Sequence, residues 1–380
     1  MKNLAIIICN FNKKDYVLDC IKSVFESAYS DYDLVLVDNA STDGSVEVIQ
    51  ARYGNKLTFL VNEENLGGAG GFARGMQFAL DKGYKYIHLL DNDVVVEKDA
   101  VGALYEFMEK TPDAGACGSL ICKIDERDTI QDYGAMINTE ELSVRPLYRG
   151  QMKNSSLPDL IKCDYVAACS AVYRSSVIKK TGGFDKDYFI YWDDMSLSRE
   201  IHLSGYQIYA TAKSVVWHYH SISPKNTFSN YYFFRNKLHY FVKYMSDSEF
   251  SLLPEKLIQR LFRILVVNRH DPQTILAYLA AFDDALNNVR GKADQWKIQP
   301  NYAPRTLPNN TEIVKVSHIL DLKKYDRSLV YTDAWQNLLF GDEDFDFAEN
   351  LDEHFKFFYN IFYTFTKSKL DVLRKKIKQI

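Results

Sequence analysis

The first ninety residues alternate four times between short apolar runs and amphipathic segments, and this alternation constrains the fold most. We predict strands over residues 4–8, 33–37, 57–61 and 86–90, with helices over 15–27, 45–53 and 71–82. A βαβαβαβ order predicts a parallel, doubly wound sheet, and such sheets bind ligands at the carboxyl ends of their strands. We therefore expect an α/β protein whose functional residues follow its strands.

Composition narrows the class of partner. The chain has 380 residues, is 47% apolar and 25% charged, and carries a net charge of −4. This composition is ordinary for a globular protein, and the mild negative charge argues against nucleic acid as the main partner. No stretch of about 18 uncharged apolar residues occurs, and the apolar run at residues 4–9 is too short for a signal peptide, so we expect a cytoplasmic protein. The six cysteines form no CxxC pair and are expected to be buried free thiols.

The fourth predicted strand runs into Asp91-Asn92-Asp93, two carboxylates two positions apart. In extended backbone, residues i and i+2 point the same way, so both acids are expected side by side at the carboxyl end of a strand. Carboxylates of this kind hold Mg²⁺ together with substrate phosphates. The competing interpretation is turn chemistry after a strand, which involves no ligand.

Two other turns carry polar or glycine-rich residues at the same predicted sheet edge. Asp38 directly follows the second strand, where a carboxylate can accept a hydrogen bond from a nucleobase or a ribose hydroxyl. The glycines between Gly67 and Gly71 permit close approach of the backbone to a phosphate, or form only a flexible loop. The sequence has neither G-x-G-x-x-G after its first strand nor a P-loop motif, so an NAD enzyme or a P-loop NTPase is not supported.

The turn at residues 38–45, the segment Asn65-Leu66-Gly67-Gly68 and the Asp91-Asn92-Asp93 pair, in this order and spacing, resemble a family 2 glycosyltransferase with the GT-A fold. The resemblance implies an α/β, doubly wound mixed sheet. It also implies that Asp38 contacts the uracil of a nucleotide-sugar, and that Asp91 and Asp93 bind Mn²⁺ or Mg²⁺ at its diphosphate. Cys9 stands where the family often has a hydroxyl residue.

A second acidic stretch, residues 188–199, places an aromatic run before Asp193 and Asp194. It can be an N-capped helix with acids at its positive end and nothing more. Alternatively, one carboxylate is a general base whose proton affinity rises beside an aromatic wall. By resemblance to the E/D-D motif of the family, Asp194 is the base, Asp193 is its neighbour in the acceptor site, and Trp192 lines the sugar and acceptor pocket. Ser196 replaces an acid that is frequent in the family.

His218 follows Trp217 at the end of a further apolar run. A lone histidine after a strand is more often a structural residue than a ligand. Its spacing from the second acidic stretch, with the aromatic segment 230–236 after it, resembles the galactofuranosyltransferase branch of the family. That resemblance implies that His218 completes the metal shell. The donor site implied by the same comparison comprises Asp38, Asn65, Gly67, Gly68, Arg74 and Asn92.

The resemblance covers residues 1–244, which we expect to be the GT-A catalytic domain, and a helical C-terminal region is predicted over 245–380. The last segment, 351–380, has apolar residues three and four positions apart and a basic end. Three interpretations of it stay open. The segment packs on its own domain, contacts an anionic membrane surface peripherally, or associates with a second copy as a homo-oligomer.

The resemblance implies an inverting, metal-dependent glycosyltransferase. Such an enzyme moves a sugar from a UDP-sugar, here UDP-galactofuranose, to a hydroxyl of a cell-surface polysaccharide or of a lipid-linked glycan precursor. A rhamnosyltransferase using dTDP-rhamnose is the alternative. An alternative from a different class is an inactive glycan-binding or assembly-scaffold relative. Such a protein has no need of a metal site and a base together, so the retained acid pairs and His218 argue against it. We expect the protein to be cytoplasmic or peripheral at the inner face of the plasma membrane, with no nucleic-acid partner.

Overall fold

The computed structural model describes residues 2–154, 156–219, 226–268, 271–298 and 351–378. The chain divides into two compact units, Met1–Ser223 and Pro224–Ile380. This division falls before the helix Thr227–Tyr244, whereas the sequence placed the domain boundary after it. Phe234 of that helix packs against Tyr278 and Phe282 of the second unit, so the helix belongs to the second unit.

The first unit alternates strands and helices in the predicted order. Its strands are β1 Leu4–Asn10, β2 Tyr32–Asp38, β3 Thr58–Val61, β4 Tyr86–Asp91, β5 Val94–Val96, β6 Ala114–Lys123, β7 Ile130–Asp132, β8 Ala135–Asn138, β9 Ser143–Pro146, β10 Leu160–Cys163, β11 Ser170–Arg174 and β12 Gln207–His218. Its α-helices are α1 Lys14–Phe25, α2 Ser45–Tyr53, α3 Gly67–Lys82, α4 Ala100–Lys110, α5 Ser175–Thr181 and α6 Asp193–Leu203.

One mixed sheet dominates this unit. Its strand order is β10-β12-β6-β11-β4-β1-β2-β3, with β5 paired to β12 and β7 paired to β6. Strands β3, β2, β1 and β4 are parallel, whereas β11 runs antiparallel to both β4 and β6. The predicted doubly wound, mixed α/β sheet is therefore confirmed, and the carboxyl ends of β1, β2 and β4 lie along one edge.

Helices cover both faces of the sheet, so its central strands are buried on both sides. Along β1, Ala5 and Ile7 belong to one apolar cluster and Ile6 and Ile8 to the other. Helices α3, α5 and α6 contribute to the first cluster, and helices α1, α2 and α4 to the second. This double burial explains why the strands read as continuous apolar runs rather than alternating ones.

The glycine-rich helix α3 begins at Gly67, four positions before the start predicted from sequence. A side chain at Gly71 would collide with Cys9, and one at Gly75 would place its Cβ 2.5 Å from Ile7 Cγ2. These glycines let α3 lie close against β1. They are therefore packing positions inside a helix, and the interpretation as a flexible loop is wrong.

The polar segment after β6 is folded. Strand β7 pairs with β6, and β8 and β9 form a separate antiparallel hairpin in which Met136 pairs with Arg145. The bridge between Thr129 and Met152 closes the segment at its base. Backbone pairing thus holds Gln131 and Asp132 of β7 in fixed positions.

The second unit is helical where it is described. Its helices are α7 Thr227–Tyr244, α8 Asp247–Ser251, α9 Leu253–Val267, α10 Pro272–Leu286, α11 Gln295–Ile298 and α12 Leu351–Lys378. In α12, Leu370 and Leu373 are buried, and Arg374 pairs with Asp247 at 2.7 Å. These contacts favour packing of α12 on its own unit. Among the described residues, no helix combines the length and apolarity that a membrane span requires.

Replacing Gly75 with alanine is expected to destabilise the protein by about 1–3 kcal/mol, because the new methyl overlaps Ile7 in a packed core. Alanine is otherwise the better helix former by about 1 kcal/mol. Gly68→Ala is the matched control, since nothing lies within 4 Å of its Cβ position. Urea unfolding checks both variants, and a Gly75→Ala protein as stable as the Gly68→Ala protein would contradict the packing role of α3.

Candidate functional site

Backbone pairing builds one corner of the site. Strand β4 ends at Asp91, β5 begins at Val94, and the register of β12 on β5 places His218 opposite Val94. The amide of Tyr219 donates to the carbonyl of Asp93 at 2.9 Å. The structure therefore brings together the acidic pair and the histidine, which lie far apart in the sequence.

The side chains at this corner form a set of ligands suited to a divalent cation. His218 Nε2 lies 3.1 Å from Asp93 Oδ1, and Lys13 Nζ lies 3.4 Å from Asp93 Oδ2. One ligand atom each from Asp91, Cys169 and His218 lies within 4.8 Å of the other two. Carboxylates and imidazole together suit Mn²⁺ and related ions, so the residues present fit the implied metal.

Burial and neighbouring charges shift the pKa values of the groups at this corner. Burial, and then the neighbouring charge of Asp93, raises the pKa of Asp91 to about 7. Burial also opposes ionisation of Asp93, but His218 and Lys13 outweigh it and hold the pKa of Asp93 below its usual range. For His218 burial acts to lower the pKa, whereas the hydrogen bond to Asp93 and the charges of both acids raise it. A bound cation would offset this repulsion.

Gln131 on β7 contacts the histidine, a contact that no sequence pattern indicated. Its Nε2 lies 2.8 Å from His218 Nδ1, and in the neutral tautomer that accepts this hydrogen bond the imidazole proton is on Nε2, facing Asp93. The Oε1 of Gln131 is buried and has no hydrogen-bond partner among the described residues. A half-turn of the amide would place Oε1 on an Nδ1–H group and leave the Nε2 lone pair free for a cation.

The predicted base-binding end lies where β1 and β2 finish. Asp38 is buried, its Oδ1 accepts from Ser41 N at 2.8 Å, and its Oδ2 accepts from Asn10 Nδ2 at 3.0 Å. Asn10 in turn accepts from Asn92 Nδ2 at 2.8 Å. Asn10 thus connects the predicted base-binding end with the acidic pair.

In the glycine-rich segment, two of the amides near the predicted phosphate cradle donate hydrogen bonds within the chain. Gly67 N donates to Asn65 Oδ1 at 2.8 Å and Ala69 N donates to Phe189 O at 3.1 Å. Arg74 donates to Val61 O, the last residue of β3, at 2.8 Å. Gly68 alone in this segment has open space around its Cβ position.

The second acidic stretch begins helix α6 after strained backbone. Phe189, Tyr191 and Trp192 have φ values of 65°, 64° and 69°, in the left-handed region that non-glycine residues rarely adopt. Each such residue costs about 1–3 kcal/mol, and such strain clusters at functional sites. It turns the chain so that Asp193 and Asp194 form the first turn of α6.

The two acids of α6 have different surroundings. Asp193 is buried, and burial followed by the charge of Asp194 raises its pKa well above the usual range. Asp194 is partly exposed, and its Oδ1 accepts from Met195 N at 2.8 Å. Burial raises the pKa of Asp194 to about 6, although hydrogen bonds from Met195 and Ala168 act against it. Asp194 is thus ionised at neutral pH, whereas Asp193 favours its protonated form.

Hydrogen bonds connect the two acidic stretches, because Asp194 Oδ2 accepts from Ala168 N at 3.4 Å and the carbonyl of the next residue, Cys169, accepts from Asp91 N at 3.0 Å. The charge of Asp91 contributes to the raised pKa of Asp193, and the charge of Asp194 contributes to that of Asp91. The predicted metal-binding and base residues therefore lie near one another. Sequence reasoning missed Lys13, Gln131 and Cys169, because each reaches this cluster only through tertiary packing.

Comparison with known proteins relates the first unit to glycosyltransferases. Residues 5–182 match the family model described as glycosyl transferase family 2. Poly-beta-1,6-N-acetyl-D-glucosamine synthases of Staphylococcus epidermidis and Staphylococcus aureus are 22% and 21% identical to this chain over 219 residues, which is 57% of this chain and 50% of each synthase. The chain thus spans about half the length of the curated relatives it matches.

Solved structures give the same fold. S. aureus TarS aligns with a TM-score of 0.50 and 14% identity over 76% of this chain and 49% of its own. GalNAc-T7 with UDP, GalNAc and Mn²⁺ aligns with a TM-score of 0.53 and 14% identity over 79% of this chain and 56% of its own. The first unit has the GT-A fold of these structures, and the match to the glycosyl transferase family 2 model lies within this unit. The relatives above are not named as galactofuranosyltransferases, so the predicted branch is not established.

Gln131→Leu is expected to weaken Mn²⁺ binding about 10–100-fold, because it removes the partner that orients the His218 imidazole. Gln131→Glu is the matched variant, since its carboxylate can accept from Nδ1–H and should keep or strengthen binding. Titration of Mn²⁺ followed by electron paramagnetic resonance measures both affinities. Equal affinity in the leucine variant and the wild type would show that Gln131 plays no part in the cation site.

Proposed function

We propose that this protein is an inverting, metal-dependent glycosyltransferase that moves a sugar from a UDP-sugar to a hydroxyl of a polysaccharide or a lipid-linked glycan. The observation that carries the proposal is the link between Asp194, a carboxylate with a pKa of about 6, and the acidic pair. Asp194 Oδ2 accepts from Ala168 N at 3.4 Å, and the carbonyl of the next residue, Cys169, accepts from Asp91 N at 3.0 Å. A base and a cation site at one sheet edge are what transfer from a nucleotide-sugar requires.

Asp38 and its neighbours would bind the nucleotide base. Asp38 Oδ1 accepts one hydrogen bond, from Ser41 N, and a carboxylate oxygen has room for a second. A uracil imide N–H could therefore donate to the same atom. Asn10 and Ser41 hold the carboxylate in place before the donor arrives, so little conformational entropy is lost on binding.

Asp91, Asp93 and His218 would hold Mn²⁺ or Mg²⁺, which when bound stabilises the negative charge that develops on the departing diphosphate. Lys13 adds a positive charge at the same position, 3.4 Å from Asp93 Oδ2. Its side chain is 37% exposed, so it can turn from Asp93 to a phosphate oxygen. The residues of this corner thus bind and orient the diphosphate.

Asp194 would take the acceptor proton as the acceptor oxygen attacks the anomeric carbon. A pKa of about 6 leaves it ionised at pH 7 yet more basic than an ordinary aspartate. Burial, and then the charge of Asp194, raises the pKa of Asp193, which in its protonated form can donate a hydrogen bond to the acceptor or the sugar. Trp192, 1% exposed and held in left-handed backbone, forms a rigid wall beside them.

The donor sugar is proposed separately from the class of enzyme. Galactofuranose is our preferred donor sugar because the spacing of the second acidic stretch and His218 resembles that branch. N-acetylglucosamine is the second candidate, since the curated relatives are named as synthases of its β-1,6 polymer. Rhamnose from dTDP-rhamnose is the third. An inactive scaffold is disfavoured because it would gain nothing from burying both acidic stretches together.

Membrane association and self-association are secondary proposals. Lys369, Arg374 and Lys378 bind partners within the second unit, whereas Lys367, Lys375 and Lys376 are exposed on α12. The exposed lysines could contact anionic lipid near a lipid-linked acceptor. Sedimentation with phosphatidylserine vesicles tests this contact, and unchanged sedimentation of a Lys367, Lys375 and Lys376 triple glutamate variant would exclude it.

Asp194→Asn is expected to lower turnover about 10²–10⁴-fold with little change in donor affinity. In the wild type, turnover should fall as the pH drops through about 6, because Asp194 takes up a proton there. The pKa of Asp194 is raised by folding from 3.8, so its ionisation destabilises the native state as the pH rises from about 4 to 6. The variant should therefore be at least as stable as the wild type at pH 8. Thermal melts and pH–rate profiles measure both effects, and wild-type turnover in the variant would overturn the assigned base.

The donor is identified by a panel comprising UDP-galactofuranose, UDP-galactopyranose, UDP-glucose, UDP-N-acetylglucosamine and dTDP-rhamnose. We expect Mn²⁺-dependent binding and slow hydrolysis of one UDP-sugar, lost by at least about tenfold in Asp93→Ala, since that residue contacts His218 and Lys13. Lys110→Ala, on the exposed side of α4, is the control. A preference for dTDP-rhamnose would change the donor, and failure to bind any donor would support the scaffold.

A further inference from the structure

Cys169 lies beside Asp91 at the corner that Asp91, Asp93 and His218 form, here called the cation corner. The proposed transfer mechanism does not use this cysteine. Asp91 N donates to Cys169 O at 3.0 Å, and the next residue, Ser170, pairs with Leu90 in the antiparallel β4–β11 ladder. Backbone hydrogen bonds therefore fix the cysteine beside Asp91. Its residue exposure is only 7%, so the thiol is shielded from bulk solvent.

The geometry of Asp91, Cys169 and His218 is close to that of a metal site. Their ligand atoms lie within 4.8 Å of one another. Ligands of a tetrahedral ion at ~2.0–2.3 Å lie about 3.5 Å apart, so the three would have to close by about 1.3 Å at most. The three residues lie at or next to the ends of strands β4, β11 and β12 of one sheet, which holds them close together. A small adjustment of their side chains would therefore bring all three within bonding distance of one ion.

The other cysteines close to Asp91 are directed elsewhere. Cys20 donates to the backbone carbonyl of Asp91 at 3.5 Å, and the thiol of Cys9 lies 3.4 Å from Asn39 Nδ2. Within the described part of the chain, Cys169 is the thiol that groups with both a carboxylate and the imidazole. The sulfur ligand therefore belongs to a mixed donor set rather than to a cysteine cluster.

We propose that Asp91, Cys169 and His218 form a binding site for borderline, thiophilic ions such as Zn²⁺ and Co²⁺. Thiolate and imidazole favour these ions, whereas Mg²⁺ and Mn²⁺ favour oxygen ligands. On binding, the S–H bond of Cys169 breaks, a sulfur–metal bond forms, and the proton passes to solvent. The site shares Asp91 and His218 with the proposed activating cation, so the two ions exclude each other. Inhibition of transfer by Zn²⁺ follows only if the proposed function holds, whereas the binding itself does not depend on that function.

The full-length protein is tested with Co²⁺ alone, because a cobalt–thiolate bond gives a charge-transfer absorption in the near ultraviolet. Cys169→Ala removes the proposed ligand. Cys163→Ala is the matched control, because Cys163 is also a buried thiol of the first unit and lies at the carbonyl of Ile208. Competition with a chromophoric chelator gives the Zn²⁺ affinity of each protein, and thermal melts confirm that each is folded.

The wild type and Cys163→Ala should show the cobalt–thiolate absorption, and Cys169→Ala should lack it. Zn²⁺ affinity should fall at least about tenfold in Cys169→Ala, while Mn²⁺ affinity changes less than about threefold. No thiolate absorption in the folded wild type, or equal Zn²⁺ affinity in wild type and Cys169→Ala, would overturn the site. Thiolate absorption in a protein that neither binds nor hydrolyses any donor would contradict the proposed function and leave this site supported.

Discussion

Mutual repulsion of carboxylates at one edge of the sheet is the constraint on which the rest of the site depends. Burial raises the pKa values of Asp91 and Asp193 most, and the charges of their neighbours add to it: Asp93 and Asp194 act on Asp91, and Asp194 and Asp91 act on Asp193. The protein offsets the repulsion unevenly. Lys13 and His218 stabilise the charge on Asp93, backbone amides stabilise that on Asp194, and Asp193 favours its protonated form. Different surroundings therefore give chemically similar side chains different roles.

Backbone pairing holds these groups together against their repulsion. The β5–β12 pairing sets His218 beside Asp93, and the β4–β11 pairing sets Cys169 beside Asp91. Because strands cannot shift by one residue without turning every side chain to the opposite face, the register fixes which side chains meet. The cation corner is thus a property of the sheet rather than of flexible loops.

The glycines of α3 support the part of the site that contains Asp193 and Asp194. Gly67 has a φ of 74°, and any side chain there would collide with the backbone of Phe189. The amide of Ala69 donates to the carbonyl of Phe189, which lies within the strained turn before α6. The glycines of α3 therefore help to hold a strained turn that places Asp193 and Asp194, a role different from the phosphate cradle expected from their pattern.

The sequence by itself determined the α/β class, the order of the first strands and helices, and the two acidic stretches, because hydrophobic periodicity and residue type are local properties. It did not determine that α3 begins at Gly67, since that start depends on contacts with β1 and Phe189. Nor did it indicate Lys13, Gln131 or Cys169, whose side chains meet the acidic corner from the residue before α1, from β7 and from the connection before β11. Only the tertiary structure decided these contacts, because strand register and burial, which set distances and pKa values, arise when distant segments pack together.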